Sequence, residues 1–216
     1  FKEKGFLPEA FINLLAVLGW NDGSEQELFS LEELTAKFSI DRVHKAGAKF
    51  DFEKAKWFNH EWIKKLPVES YSPEVKKYFT FKGISINEDA YFTKVLELVK
   101  DRCTLLTDFY EQAGYFFRAP ESWDSEAVKP KWTEAKATFF NEFCEKLEAL
   151  PTWDNSVIEV TFKDLAAAHV IKPGELQLPM RIMLVGGKFG PAVFEIASLI
   201  GKEETVGRIK KALTIF

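Results

Sequence analysis

The sequence predicts an all-α, mainly helical protein, and three observations carry that expectation. Apolar residues recur at helical spacing in segment after segment, as in Phe11, Leu14, Leu15 and Leu18. Start and stop signals bracket these segments: Ser, Asp or Pro at the beginnings, and Gly or Pro at the ends. The aromatic content is 15%, with 21 Phe and 6 Trp, which suits core filling between helices, because each aromatic ring buries a large area. Exposed stacking platforms for bases are the lesser reading of that content.

The elements follow in order. Pro8 at a first-turn position opens a helix that Gly19 ends. Ser30 and Glu33 form an S-x-x-E capping box before Leu31, Leu34 and Phe38. Asp51 caps a third helix running through Ala55, Phe58 and Trp62 until Pro67 stops it, with Trp57 expected in the core. Ser72-Pro73-Glu74 opens the next with Ser72 as its cap, and Asn87 opens another through Lys100. A further helix is expected over about 104–113, then a loop with one helical turn over 116–130. Thr133 to Leu150 reads as a long amphipathic helix, and Asn155 to Ala168 as another. Leu178 to Val185 is ambiguous between a short strand and a buried helix, since periodicity does not separate the two. Gly186 to Gly190 is a flexible turn, Pro191 opens a helix ending at Gly201, and Glu203 and Glu204 start the last one.

Bulk properties narrow the function by exclusion. With 216 residues, 46% apolar, the chain has room for one or two domains with cores. The net charge of −4 argues against indiscriminate coating of nucleic acid. The charge is uneven, however. Ile171 to Phe216 carries 7 basic and 4 acidic residues, against 12 and 18 in Leu66 to Val170, so one face could meet phosphates. Cys103 and Cys144 form no C-x-x-C and read as buried thiols in a reducing compartment. His44, His60 and His169 lack metal-ligand spacing. No stretch approaches the ~20 apolar residues of a membrane span. The chain opens on Phe1 in helical pattern, and reads as a piece of a longer polypeptide.

Nothing in the chain reads as a catalytic centre. Gly186-Gly187-Lys188 lacks the spacing and the following hydroxyl of a phosphate-binding loop, and there is no G-x-S-x-G. What remains is recognition. Helical domains read RNA loops by setting Arg and polar groups against splayed bases.

Two segments are idiosyncratic. One reads G-F-L-P-E-A-F-I-N-L-L-A-V-L-G-W, F-S-L-E-E-L and R-V-H-K-A-G-A-K-F-D-F-E-K-A-K-W-F-N between Gly5 and Asn59. The other reads P-M-R-I-M-L-V-G-G-K-F-G-P-A-V-F-E-I-A-S-L-I-G-K-E-E-T-V-G-R between Pro179 and Arg208. In this order and separation they closely resemble the C-terminal half of bacterial glutamyl-tRNA synthetases, and between about 67 and 172 the resemblance is less diagnostic. The signatures H-I-G-H and K-M-S-K-S are absent, and the resemblance places both upstream of Phe1. It implies a class I glutamate–tRNA ligase as parent, which uses ATP and Mg in a catalytic domain outside this chain. No cofactor is expected in the fragment itself, which should be inactive alone. The implied partner is tRNA(Glu), with tRNA(Gln) left open, for a cytoplasmic monomer with no membrane partner. A helical rather than β-barrel C-terminal region disfavours a glutaminyl-tRNA synthetase.

The resemblance also implies site residues. Arg102, in Asp101-Arg102-Cys103-Thr104-Leu105, is similar to the family's arginine that reads the last anticodon base, a cytosine, although the spacing to Thr104 and Leu105 differs. Arg181 in P-M-R is similar to an arginine that, with the start of the following helix, faces the first two anticodon letters; Lys188, Gly190 and Val193 fall in that region. A planar guanidinium and free helix N–H groups suit base edges or phosphate. The competing reading pairs Arg181 with Glu195 or Glu175. Gly190 offers no side chain for a polar contact that relatives make there. Lys45, Lys54 and Asn59 match stem-contact positions, though A-G-A stands after Lys45 where relatives often show S-P-A. The expected organisation is a stem-contact region over 1–66 and a helical anticodon-binding domain over 67–216, with possible subdomains at 67–130 and 131–216. The alternative is a non-enzymatic helical adaptor that binds protein partners.

Overall fold

A computed structural model of the protein describes residues 1–44 and 49–216. Among these, the regular structure is helical, and the one bridge is an isolated antiparallel pairing of Trp20 with Val43. The chain divides into two compact units, Phe1–Ala113 and Gly114–Phe216. The Pro67–Pro73 stretch therefore lies inside the first unit.

The first unit contains α1 (Pro8–Gly19), α2 (Leu31–Lys37), α3 (Phe52–Lys65), α4 (Ser72–Phe81), α5 (Asp89–Val99) and α6 (Asp108–Ala113). Helix α2 starts on the expected capping box: Ser30 Oγ accepts from Glu33 N at 3.1 Å, and Ser30 N donates to Glu33 Oε2 at 2.7 Å. Asp51 Oδ1 caps α3 by accepting from Glu53 N and Lys54 N. Ser72 does not cap α4. Tyr71 holds that position without a side-chain bond, and Ser72 is already helical. Likewise Glu88, not Asn87, precedes α5. Helix α6 starts four residues later than expected, because Asp108 Oδ2 accepts from both Thr104 N and Leu105 N at 2.9 Å and holds those residues in a turn.

Helix α3 buries Ala55, Phe58, Asn59, Trp62 and Ile63, a stripe at i, i+3, i+4, i+7 and i+8. Trp57 lies off that stripe and is 42% exposed, so it does not fill the core. Asn59 is fully buried. It accepts from Leu7 N at 2.7 Å and donates to Gly5 O at 3.3 Å and Thr104 O at 2.6 Å. Asn13, also buried, accepts from Phe29 N at 3.0 Å and Trp62 Nε1 at 3.1 Å, and donates to Glu27 O at 2.8 Å. These two amides tie segments distant in sequence to α1 and α3, satisfying backbone groups that burial would otherwise strand.

The second unit contains α7 (Glu134–Ala149), α8 (Asn155–Ala168), α9 (Pro173–Val185), α10 (Val193–Ile200) and α11 (Lys202–Leu213). Its 114–131 stretch carries three single 3-10 turns, at Gly114–Phe116, Ser125–Ala127 and Lys129–Lys131. Phe139, Phe143 and Phe162 are fully buried, with Phe162 edge-on to both at 5.2 Å. Helix α11 packs against α7 and α9, and α10 against α8, α9 and α11.

The ambiguous 178–185 run is helix, not strand. Pro179 sits inside α9 and withholds an N–H from the carbonyl one turn earlier, a cost of ~3 kcal/mol in an ordinary helix interior. Leu176, Met180, Ile182, Met183 and Leu184 are each fully buried, and at ~1.5–3 kcal/mol apiece their burial outweighs that loss. The chain after Pro191 also departs from expectation, with α10 beginning at Val193 after a non-helical Ala192. Arg208 shares the buried stripe of α11 with Thr205, Ile209 and Ala212. It donates from Nη1 to Leu184 O at 2.6 Å and from Nε to Glu204 at 2.8 Å.

Candidate nucleic-acid interface

In the first unit, helix α5 ends at Val99 and one 3-10 turn, Lys100–Arg102, follows. The segment after it is held from two sides. His60 Nδ1 lies 2.8 Å from Cys103 O, Asn59 donates to Thr104 O, and Asp108 holds the Thr104 and Leu105 N–H groups. Burial pushes the Cys103 thiol well above its ordinary range, which suits a packing role rather than a nucleophile. Arg102 stands at the edge of this pinned turn. It is exposed, and its guanidinium makes no hydrogen bond or ion pair among the described residues.

The second unit builds a loop between α9 and α10. Gly186 terminates α9 at φ 84°, with its N–H on Ile182 O at 2.8 Å. A Cβ there would lie 2.7 Å from Ser122 O and 2.9 Å from Pro120 Cβ, so glycine alone fits. The 120–124 segment closes on this point. Asp124 N donates to Gly186 O at 2.9 Å and Trp123 Nε1 to Met183 O at 3.0 Å. Lys211 lies over the Trp123 ring, 5.2 Å from its centroid. Lys188 is exposed and pairs with Asp124 at 3.3 Å. The 186–190 turn is thus tied at one end by a second segment of the unit.

Arg181 ties the other end. Its Nη1 donates to the Pro191 carbonyl, and a Cβ on Gly190 (φ 151°) would lie 3.2 Å from both Arg181 Nη1 and Tyr115 Oη. Glu175 approaches Lys136, at 3.7 Å. Gly190, Pro191 and Val193 are buried, so this stretch offers backbone rather than side chains. Ala192 gives α10 no side-chain cap, leaving the first-turn N–H groups at the positive end of the helix without one. Between the tied ends stands Phe189, 82% exposed. The sequence reading made nothing of it. Its place between Lys188 and Gly190, where no apolar periodicity demands a ring, was the available signal.

The expected stem contacts separate. Lys54 is half-buried and pairs with Glu27, and an exposed pair of this kind is worth ~0–1 kcal/mol, so a phosphate could displace it cheaply. Asn59 is a correction. Its amide is enclosed and spent on three backbone groups, so it has nothing to offer a stem. Lys45 lies outside the described residues.

The described residues thus set an exposed arginine on a pinned turn of the first unit, and in the second a tied loop ahead of a helix with no side-chain cap. The chain belongs to the anticodon binding domain family, which it matches over residues 53–213. Residues 1–57 match the catalytic domain of class I tRNA synthetases (E and Q). It is 43% identical over 213 residues to a glutamate–tRNA ligase of Flavobacterium psychrophilum, and 42% identical over 214 to one of Flavobacterium johnsoniae. Each alignment covers 99% of this chain and 42% of the relative. Among solved structures it is similar to a glutamate tRNA ligase from Elizabethkingia meningosepticum in complex with its amino acid, with TM-score 0.90 and 38% identity. A glutamate–tRNA synthetase from Elizabethkingia anophelis follows at TM-score 0.86 and 38% identity. Both are covered to 42% of their length, so the chain spans less than half of the relatives it matches. Among the described residues, no helix is long and apolar enough to cross a membrane, and no group of three His, Cys, Asp or Glu could hold a metal ion.

Proposed function

We propose that this chain is the tRNA-binding part of a glutamate–tRNA ligase, with Arg102 reading the last anticodon base and the 181–193 region facing the first two. The observation that carries this is the exposed, unengaged guanidinium of Arg102 on a turn held by Asn59, His60 and Asp108. An arginine on a fixed backbone can present two parallel donors to a base edge without first breaking an internal bond. Arg181, by contrast, acts through the Pro191 carbonyl, setting the backbone from which Gly190 and the α10 N–H groups would face the RNA. Lys54 and Lys188 each keep a carboxylate partner, and phosphate contacts there would be exchanges of ion pairs.

The parent enzyme in this reading activates glutamate with ATP and magnesium in a catalytic domain whose family residues 1–57 match, and transfers it to tRNA(Glu). Acceptance of tRNA(Gln) would turn on tolerance at the last anticodon letter. It acts as a cytoplasmic monomer, and the division of labour is a stem-contacting N-terminal region and an anticodon-reading remainder. The adaptor alternative draws no support from the family match. The test is binding of this chain, wild type and Arg102→Ala, to tRNAs differing only at the last anticodon base. Discrimination should fall by ~1–3 kcal/mol, a scale taken from bidentate arginine–guanine contacts in DNA. Equal weakening of all tRNAs, with the salt slope flattened by about one unit, would instead make Arg102 a phosphate contact.

A further inference from the structure

We propose that Phe189 is a base-stacking residue, its ring lying against an unpaired nucleobase of the RNA loop; this rests on the anticodon-reading function above and names one of its contacts. Two observations converge. Phe189 is 82% exposed in a unit where Phe139, Phe140, Phe143 and Phe162 are fully buried. The backbone on either side is fixed, at Gly186 by Ser122, Pro120 and Asp124, and at Gly190–Pro191 by Arg181. The ring is therefore displayed by a tied loop.

The surroundings choose the occupant. A ring anchoring a protein partner sits among other apolar groups, since such contacts draw their energy from a desolvated cluster. Its chain neighbours Gly187, Lys188, Gly190 and Ala192 bring no large apolar side chain. Lys188 brings an ammonium group, exchangeable from its pair with Asp124 at 3.3 Å, and the positive end of α10 begins four residues further on. An aromatic face beside positive charge is the combination that single-stranded nucleic acid engages, with a base on the ring and its phosphate on the cation. Because every base has a π-face, this contact adds affinity with little choice of letter, which leaves selection to Arg102 and to the backbone groups near α10.

The test measures binding of this chain to an RNA hairpin with the anticodon stem and loop, and to the same hairpin carrying an abasic site at each loop position in turn. Phe189→Ala should weaken binding by about 5- to 150-fold, Phe189→Leu should weaken it comparably, and Phe189→Trp should stay within about threefold of wild type. One abasic position should weaken wild type while leaving Phe189→Ala unchanged, which identifies the stacked base. The melting temperature reports folding for every variant. Wild-type affinity in Phe189→Ala would overturn the proposal while leaving anticodon reading intact, and so would full retention in Phe189→Leu, since a contact that leucine replaces is apolar rather than stacked. A wild-type chain that binds no anticodon hairpin would overturn both.

Discussion

Replacing Asn59 with alanine should unfold the first unit at much lower temperature. The side chain satisfies Leu7 N, Gly5 O and Thr104 O. Gly5 O keeps a second partner, because Leu106 N donates to it at 2.9 Å. Leu7 N has no such reserve; Leu7 is buried, and a stranded N–H there costs ~1–3 kcal/mol. Thr104 O, partly buried, adds about 1 kcal/mol. The total of about 2–4 kcal/mol corresponds to a melting-temperature drop of roughly 6–24 °C for a unit of this size. Far-UV circular dichroism gives the melt, and Lys54→Ala on an outer face of the same helix serves as the comparison, with a change within about 0.5 kcal/mol. An Asn59→Ala protein that melts like wild type but binds tRNA less tightly would refute the reasoning and restore Asn59 as a stem contact.

Arg208→Ala should destabilise the second unit by about 2–4 kcal/mol in urea unfolding, since it strands the Leu184 carbonyl and removes a nearly buried guanidinium. Gly190→Ala should cost about 1–2 kcal/mol, because the new Cβ meets Arg181 Nη1 and Tyr115 Oη at 3.2 Å in a backbone conformation that favours glycine; RNA affinity should fall with it. Val170, 93% exposed, holds φ 57°, a left-handed conformation that β-branched residues disfavour, so Val170→Asn should raise stability by about 0.5–1 kcal/mol. The Asp22 carboxyl is held far below its ordinary value of 3.8, first by the Ser24 hydroxyl, then by Lys37. A depressed carboxylate contributes stability that is complete above its unfolded pKa and lost as pH falls below it. Thermal melts of Asp22→Asn should accordingly decline less steeply than wild type below about pH 4.

Helix existence was largely legible in the sequence because caps are local chemistry. Ser30 with Glu33, and Asp51 with Glu53 and Lys54, bond within a few residues and work as their spacing implies. The late start of α6 has a local cause: Asp108 captured the Thr104 and Leu105 N–H groups first. The 178–185 run stayed ambiguous because burial on several faces erases amphipathic contrast, and Pro179 looks like a stop until the apolar burial around it is weighed. At the site, the order of Arg102, Arg181 and the glycine loop was readable, whereas Arg181's bond to Pro191 joins residues brought together only by folding. Asn59 was placed by matching motif letters, and Trp57 was put in the core as an aromatic. The spacing from Ala55 to Ile63 puts Asn59 on the inner stripe and Trp57 off it, so periodicity alone held the right answer.

The loop between α9 and α10 keeps its shape and its vocabulary in different residues. Gly186, Gly190, Arg181 and the 120–124 segment set the backbone, while Lys188 and Phe189 project from it with little packing of their own. Changes at exposed positions of this kind usually alter stability by no more than about 0.5 kcal/mol. Those two letters can therefore drift, be exchanged or be randomised in the laboratory while the fold stays put, which makes the tip a natural point for retuning how tightly, and on which loops, this protein closes.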